Sequence, residues 1–146
     1  MGRQACPPRC IGYPARVSDT FPRQYARTQR LTLGEPRSFT VSPDGKRVVF
    51  ARSDSGNDSV NALWVLDTTT GEERKVLDPR TVGGDLANTS PEEMRRRDRA
   101  RESASGVVTY ACDAAVERAV TILGGHIVVV HLITGDVSMP PIPPGV

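Results

Sequence analysis

The stretch from Phe39 to Leu77, FTVSPDGKRVVFARSDSGNDSVNALWVLDTTTGEERKVL, constrains the fold more than any other part of the chain. It holds four short runs rich in β-formers: Ser38–Val41, Arg47–Ala51 (RVVFA), Leu63–Asp67 (LWVLD) and Glu73–Leu77. Between the first two lies Ser42-Pro43-Asp44-Gly45, where proline presets φ at the second turn position and glycine supplies freedom at the fourth. A polar loop, Ser53–Asn61, joins the second run to the third, and Thr68-Thr69-Thr70-Gly71 turns the third into the fourth. Strands at this spacing with punctual turns predict an antiparallel meander. A lone sheet of this kind has two open edges and an apolar face needing cover, so the stretch predicts a neighbour.

Before it, residues 1–20 carry no periodicity and read as a disordered tail. The first 30 residues hold Arg3, Arg9, Arg16, Arg23, Arg27 and Arg30 against Asp19 alone, a local +5 in a chain of net charge +2. No aromatic-basic platform accompanies these arginines, so nucleic-acid binding is not expected. Residues 21–36 form a lead-in, irregular or briefly helical, with Tyr25, Leu31 and Leu33 as anchors.

After Leu77, residues 78–105 read as a linker plus one helix. Ser90 can cap it, Pro91 suits its first position, and Glu93 stands at capping-box spacing. Its body, MRRRDRARE from Met94, has almost no apolar face. Arg95, Arg96, Arg97, Arg99 and Arg101 are offset by Glu92, Glu93, Asp98 and Glu102 to +1, which fits a solvated helix better than a polyanion site.

From residue 106 the β pattern returns. Val107–Cys112, Ala119–Leu123 and Ile127–Leu132 read as strands, Gly124-Gly125 as a tight hairpin, and the prolines after Val137 leave little of a fourth strand. The two β regions echo each other. LWVLDTTTGE at Leu63–Glu72 aligns with IVVVHLITGD at Ile127–Asp136, a shift of 64 residues, and KRVVFA at Lys46 resembles ERAVTI at Glu117. Repeated four-stranded sheets are the sequence mark of a β-propeller. The expected fold class is therefore mainly β: one complete blade over 37–77 and one incomplete blade over 106–146, with the arginine-rich helix between.

FTVSPDGKRVVFAR followed by LWVLDTTTGE is similar to the WD40-like repeats of TolB-type propellers. The longer order of parts, from TFPRQYARTQRLTLGEPRSF through PEEMRRRDRARESASGVVTYACD into the second blade, resembles the N-terminal propeller of dipeptidyl peptidase IV-like enzymes in the prolyl oligopeptidase superfamily. That resemblance implies a truncated piece of a serine peptidase, whose partners would be a C-terminal α/β-hydrolase domain and peptide substrates. No G-x-S-x-G elbow occurs in the chain, so no catalytic residue is assigned. Glu72-Glu73 and Glu92-Glu93 imitate the family's amine-holding pair, but a blade turn and an exposed helix are the wrong places for it. The alternatives are a binding propeller with no enzyme attached, or the product of a decayed gene.

No cofactor or metal is expected. Cys6-Pro-Pro-Arg-Cys10 lacks a second pair of ligands, and Cys112 sits in an apolar run. His126 and His131 point to opposite faces of one strand, which disfavours a shared site. Asp54, Asn57 and Asp58 miss the spacing of a calcium loop. The residues singled out are structural: Ser42, Pro43, Asp44 and Gly45 in the first turn, Trp64 for blade packing, and Gly71 and Gly135 in the later turns. No apolar run approaches membrane-span length and no secretory leader is legible, so a cytoplasmic location, with no membrane partner, is the expectation. Exposed strand edges are expected to favour self-association.

Overall fold

A computed structural model describes residues 20–82 and 105–141. The tail at 1–19, with Cys6 and Cys10, and the helix expected after Ser90 lie outside the described residues. Among those described, a short helix, α1 (Phe21–Arg27), precedes two β-sheets. Thr20 stands at its N-cap without a side-chain cap bond, Pro22 occupies the first turn, and no residue of the helix is buried.

The first sheet runs β1 (Arg37–Val41), β2 (Arg47–Ser53), β3 (Val60–Asp67) and β4 (Glu73–Leu77), each antiparallel to the next. The β2–β3 register pairs Arg47 with Asp67, Val49 with Val65, Phe50 with Trp64 and Ala51 with Leu63. Side chains alternate across a sheet, so Val49, Ala51, Leu63 and Val65 share one face and all are buried.

A fifth strand departs from the expected meander. β5 (Ser105–Gly106) pairs parallel to β3, matching Ser105 with Val60 and Gly106 with Asn61. It occupies the part of the β3 edge that β4 leaves open, since β4 pairs with β3 only from Leu63 to Leu66. The strand expected over Val107–Cys112 is consequently shorter. Ser105 N donates to Ser59 O (2.7 Å) and Val107 N to Asn61 O (2.9 Å), so the chain is still attached to the first sheet when it reaches Val107.

The second sheet follows as β6 (Tyr110–Cys112), β7 (Arg118–Leu123), β8 (His126–His131) and β9 (Val137–Ser138), again in sequential antiparallel order. β7 and β8 are joined at Gly124 and Gly125, both at positive φ, as a two-residue hairpin with the strand twist requires. The fourth strand has two residues, and prolines follow it. One core lies between the sheets. Val49, Ala51, Leu63, Val65, Val76 and Leu77 come from the first, and Ala119, Leu123, Val128, Val130 and Leu132 from the second or its turn, with Val107 bridging.

Candidate functional site

The candidate site is the seam between the sheets and the turns at its rim. Two turn frames recur. In the first sheet Ser42 N donates to Arg47 O (2.9 Å) and Gly45 N to Ser42 O (2.9 Å). In the second, Asp113 N donates to Arg118 O (3.1 Å) and Val116 N to Asp113 O (3.0 Å), a shift of 71 residues. The side chains close each frame differently. Ser42 Oγ donates to Asp44 Oδ1 (2.5 Å) and accepts from Arg47 N (3.0 Å). Asp44 Oδ1 accepts in turn from Lys46 N (3.1 Å), and in the second sheet Asp113 Oδ1 fills both acceptor roles, for Glu117 N (2.8 Å) and Arg118 N (3.1 Å). The Ser42 hydroxyl bond and Lys46 N hold the Asp44 carboxyl below the usual range, and the Arg118 and Glu117 amides do the same for Asp113.

The second frame repeats at a shift of 64. Asp67 N donates to Glu72 O (2.9 Å) and Gly71 N to Asp67 O (2.8 Å); His131 N donates to Asp136 O (2.8 Å) and Gly135 N to His131 O (2.8 Å). Gly71 and Gly135 both take positive φ, the conformation the turn demands and glycine tolerates. Asp67 accepts from Thr69 Oγ1 (2.5 Å), Thr69 N (2.8 Å) and Thr70 N (3.2 Å), which lowers its carboxyl pKa. His131 offers only Nδ1, to Thr134 N at 3.3 Å.

Three side chains cross the seam. The Tyr110 hydroxyl lies within hydrogen-bonding reach of Ser38 O, Val49 O (2.9 Å) and Thr40 Oγ1 (3.2 Å). Its single proton serves one carbonyl, and Thr40 can donate to it in turn. Burial pushes the Tyr110 phenol up. Arg74 Nη2 donates to Leu132 O (2.7 Å), and Arg47 Nη2 to Ala115 O (3.3 Å). Arg47 Nε is shut off from solvent without a partner. An open cavity of about 310 Å³ lies here, walled by Arg47, Arg74, Asp67 and Glu72 over Val65 and Leu132. Both guanidiniums come from the first sheet and donate to carbonyls of the second, with the Asp67 and Glu72 carboxylates in the same wall, so the joint between the sheets is charge-balanced.

The other residues singled out from sequence fall apart in space. Ser42 is buried in its turn, where its hydroxyl donates to Asp44 Oδ1 and accepts from Arg47 N. Trp64 stands on the face of the first sheet turned away from the second, where its Nε1 donates to Arg52 O (3.1 Å). Arg52 lies over both the Trp64 ring (4.5 Å) and the Phe50 ring (5.3 Å), and Lys75 Nζ is 5.3 Å from the Trp64 ring. Glu73 pairs with Arg52 at 2.6 Å. Asp54 pairs with Lys75 (2.7 Å), and Asp58 with Arg80 (2.6 Å). His126 and His131 register opposite Leu123 and Arg118, on opposite faces of β8. Burial raises the Cys112 thiol pKa, away from the thiolate a nucleophile needs.

No family model matches the chain. Among solved structures, it is similar to a prolyl endopeptidase chain described in a structural and mechanistic comparison of two such enzymes, at 14% identity and a TM-score of 0.49. The match covers 79% of this chain and 15% of that one. No helix among the described residues is long and apolar enough to cross a membrane.

Proposed function

We propose that this chain is part of the N-terminal propeller of a dipeptidyl-peptidase-like serine peptidase, where it narrows access and positions peptides beside an α/β-hydrolase domain without doing chemistry itself. The observation that supports the propeller is the double repeat. Both sheets run in sequential antiparallel order, the backbone bonds of both turn frames recur, and the sheets stack face to face through one core. The peptidase assignment adds the order of segments in the sequence, from the lead-in through the arginine-rich stretch to the second sheet. A binding propeller of TolB type shares the first set of features and lacks the second.

Sequencing the gene beyond the codon for Val146 separates the two. Further sheets followed by a G-x-S-x-G elbow support the peptidase; further sheets followed by a stop support the binding module. Purified alone, the chain should leave chromogenic dipeptide substrates intact. Turnover abolished by a serine-directed inhibitor would overturn the non-catalytic assignment.

A further inference from the structure

The cavity at the seam holds charges of both signs that are kept from each other. Arg47 and Asp67 are register partners on β2 and β3, and opposite charges directly across an antiparallel pair ordinarily attract and pair. Here they do not. Arg47 Nη2 donates instead to Ala115 O across the seam, and Asp67 Oδ1 accepts from Thr69 Oγ1, Thr69 N and Thr70 N within its own turn. Arg74 Nη2 is drawn to Leu132 O in the same way. Among the described residues, no ion pair involves any of the four charged groups that wall the cavity.

The two carboxylates stand side by side. Asp67 N donates to Glu72 O (2.9 Å), which sets Asp67 opposite Glu72 across the β3–β4 turn, and both residues line the cavity. Like charges placed so are unfavourable in a sheet unless a cation lies between them. Asp67 Oδ1 is spent on the turn, while Asp67 Oδ2 and the Glu72 carboxylate accept from no described residue. The neighbour of Glu72 in sequence, Glu73, pairs with Arg52 on the other face, so it takes no part. Arg74, bonded at one nitrogen, has further N–H groups to give. The space enclosed is about 310 Å³, with Val65, Leu132 and Ile133 as its apolar wall. Ligand sites run from about 300 Å³ upwards, so this one suits a molecule of amino-acid size better than an extended peptide.

We propose that the seam cavity binds a small zwitterion, a free α-amino acid with an aliphatic side chain. Its ammonium sits between Asp67 Oδ2 and Glu72, its carboxylate accepts from Arg74 and Arg47, and its side chain lies on Val65, Leu132 and Ile133. Bonds to charged groups are the strong ones, and backbone contacts hold three of the four partners in place beforehand, which lowers the cost of binding. A lone anion or cation is the poorer occupant, because it would unbalance a wall of zero net charge. The ligand touches both sheets, so it also fastens the seam. The proposal stands on the seam geometry and does not depend on the peptidase reading.

The test is a titration of the isotopically labelled full chain with leucine, followed by amide chemical shifts. Leucine should give saturable shifts at Val65, Glu72, Leu132 and Ile133 and raise the melting temperature. Isocaproate, which lacks the ammonium, and isoamylamine, which lacks the carboxylate, should each bind weaker by about 10-fold or more. Glycine, without the side chain, should also bind more weakly. Glu72→Gln removes a carboxylate that makes no bond in the fold, and should weaken leucine binding by about 10-fold with the rest of the spectrum unchanged. No saturable shift with leucine, shifts confined to residues away from the cavity, or binding of isocaproate, isoamylamine or glycine as tight as that of leucine would each overturn the proposal. So would undiminished leucine binding by Glu72→Gln.

Discussion

Gly106→Ala is the substitution for which the structure gives the most definite expectation. Gly106 sits in β5 at φ +77, and a Cβ there would lie 2.4 Å from Asn61 O and 3.0 Å from a Val60 methyl. A left-handed φ costs an alanine about 1 kcal/mol. Relief of the overlap requires β5 to move off β3, which weakens the Ser105–Ser59 and Val107–Asn61 backbone bonds, about 1 kcal/mol each. It also loosens Val107, which is fully buried between the sheets. The expected loss is about 3–4 kcal/mol. Gly45→Ala is the control, because Gly45 has φ +70 and nothing within 4 Å of its would-be Cβ, so only the conformational cost of about 1 kcal/mol applies. Urea midpoints of the two variants, with amide exchange at Ser105 and Val107, measure the difference. Equal midpoints, with the two amides still protected in Gly106→Ala, would refute the parallel β5–β3 pairing.

Further outcomes follow from the seam and the turns. Tyr110→Phe should lower stability by about 1–2 kcal/mol, because the one carbonyl its proton serves, Ser38 O or Val49 O, loses its donor in a partly buried site; thermal melts of the two proteins check it. His131→Asp should raise stability by about 0.5–1 kcal/mol by giving the second sheet the multiply bonded acceptor that Asp67 supplies in the first. Asp44, Asp67 and Asp113 all have folded pKa values below 3.8. Their contribution is therefore complete above the unfolded-state value and is lost as pH falls through the lower folded values. Melting temperature should hold steady down to about pH 5 and fall below about pH 4, and Asp67→Asn should blunt the fall. Through its open strand edges, the isolated chain should self-associate with rising concentration, which sedimentation velocity reads directly.

Much of the fold was legible because the first sheet is locally consistent. Pro43 and Gly45 mark one turn, Gly71 another, and the β-branched runs lie between them, so strand edges fall within a few residues of expectation. The second copy of the first turn was hidden. Asp113-Ala114-Ala115-Val116 makes the same frame without proline or glycine, and Val116 takes φ +54 where Gly45 takes +70. A β-branched residue rarely adopts that conformation, and here burial of the Val116 side chain in the core accompanies it. β5 was illegible for a different reason, since a two-residue parallel pair has no periodicity and is chosen by the edge that β4 leaves vacant. The place of Trp64 was also beyond sequence. Alternation puts it opposite Phe50, but which face meets the second sheet depends on how the sheets stack.

A propeller-type repeat requires the two sheets to be stacked by that seam. Two-dimensional NOE spectroscopy of the Tyr110 ring tests this most directly, since its hydroxyl lies 2.9 Å from Val49 O. Cross-peaks from the Tyr110 ring protons to the β1 and β2 segments around Ser38, Thr40 and Val49 are predicted. Their absence, with the cross-strand peaks of Val49–Val65 and Val120–Val129 intact, would mean that both sheets form but do not pack as adjacent repeats.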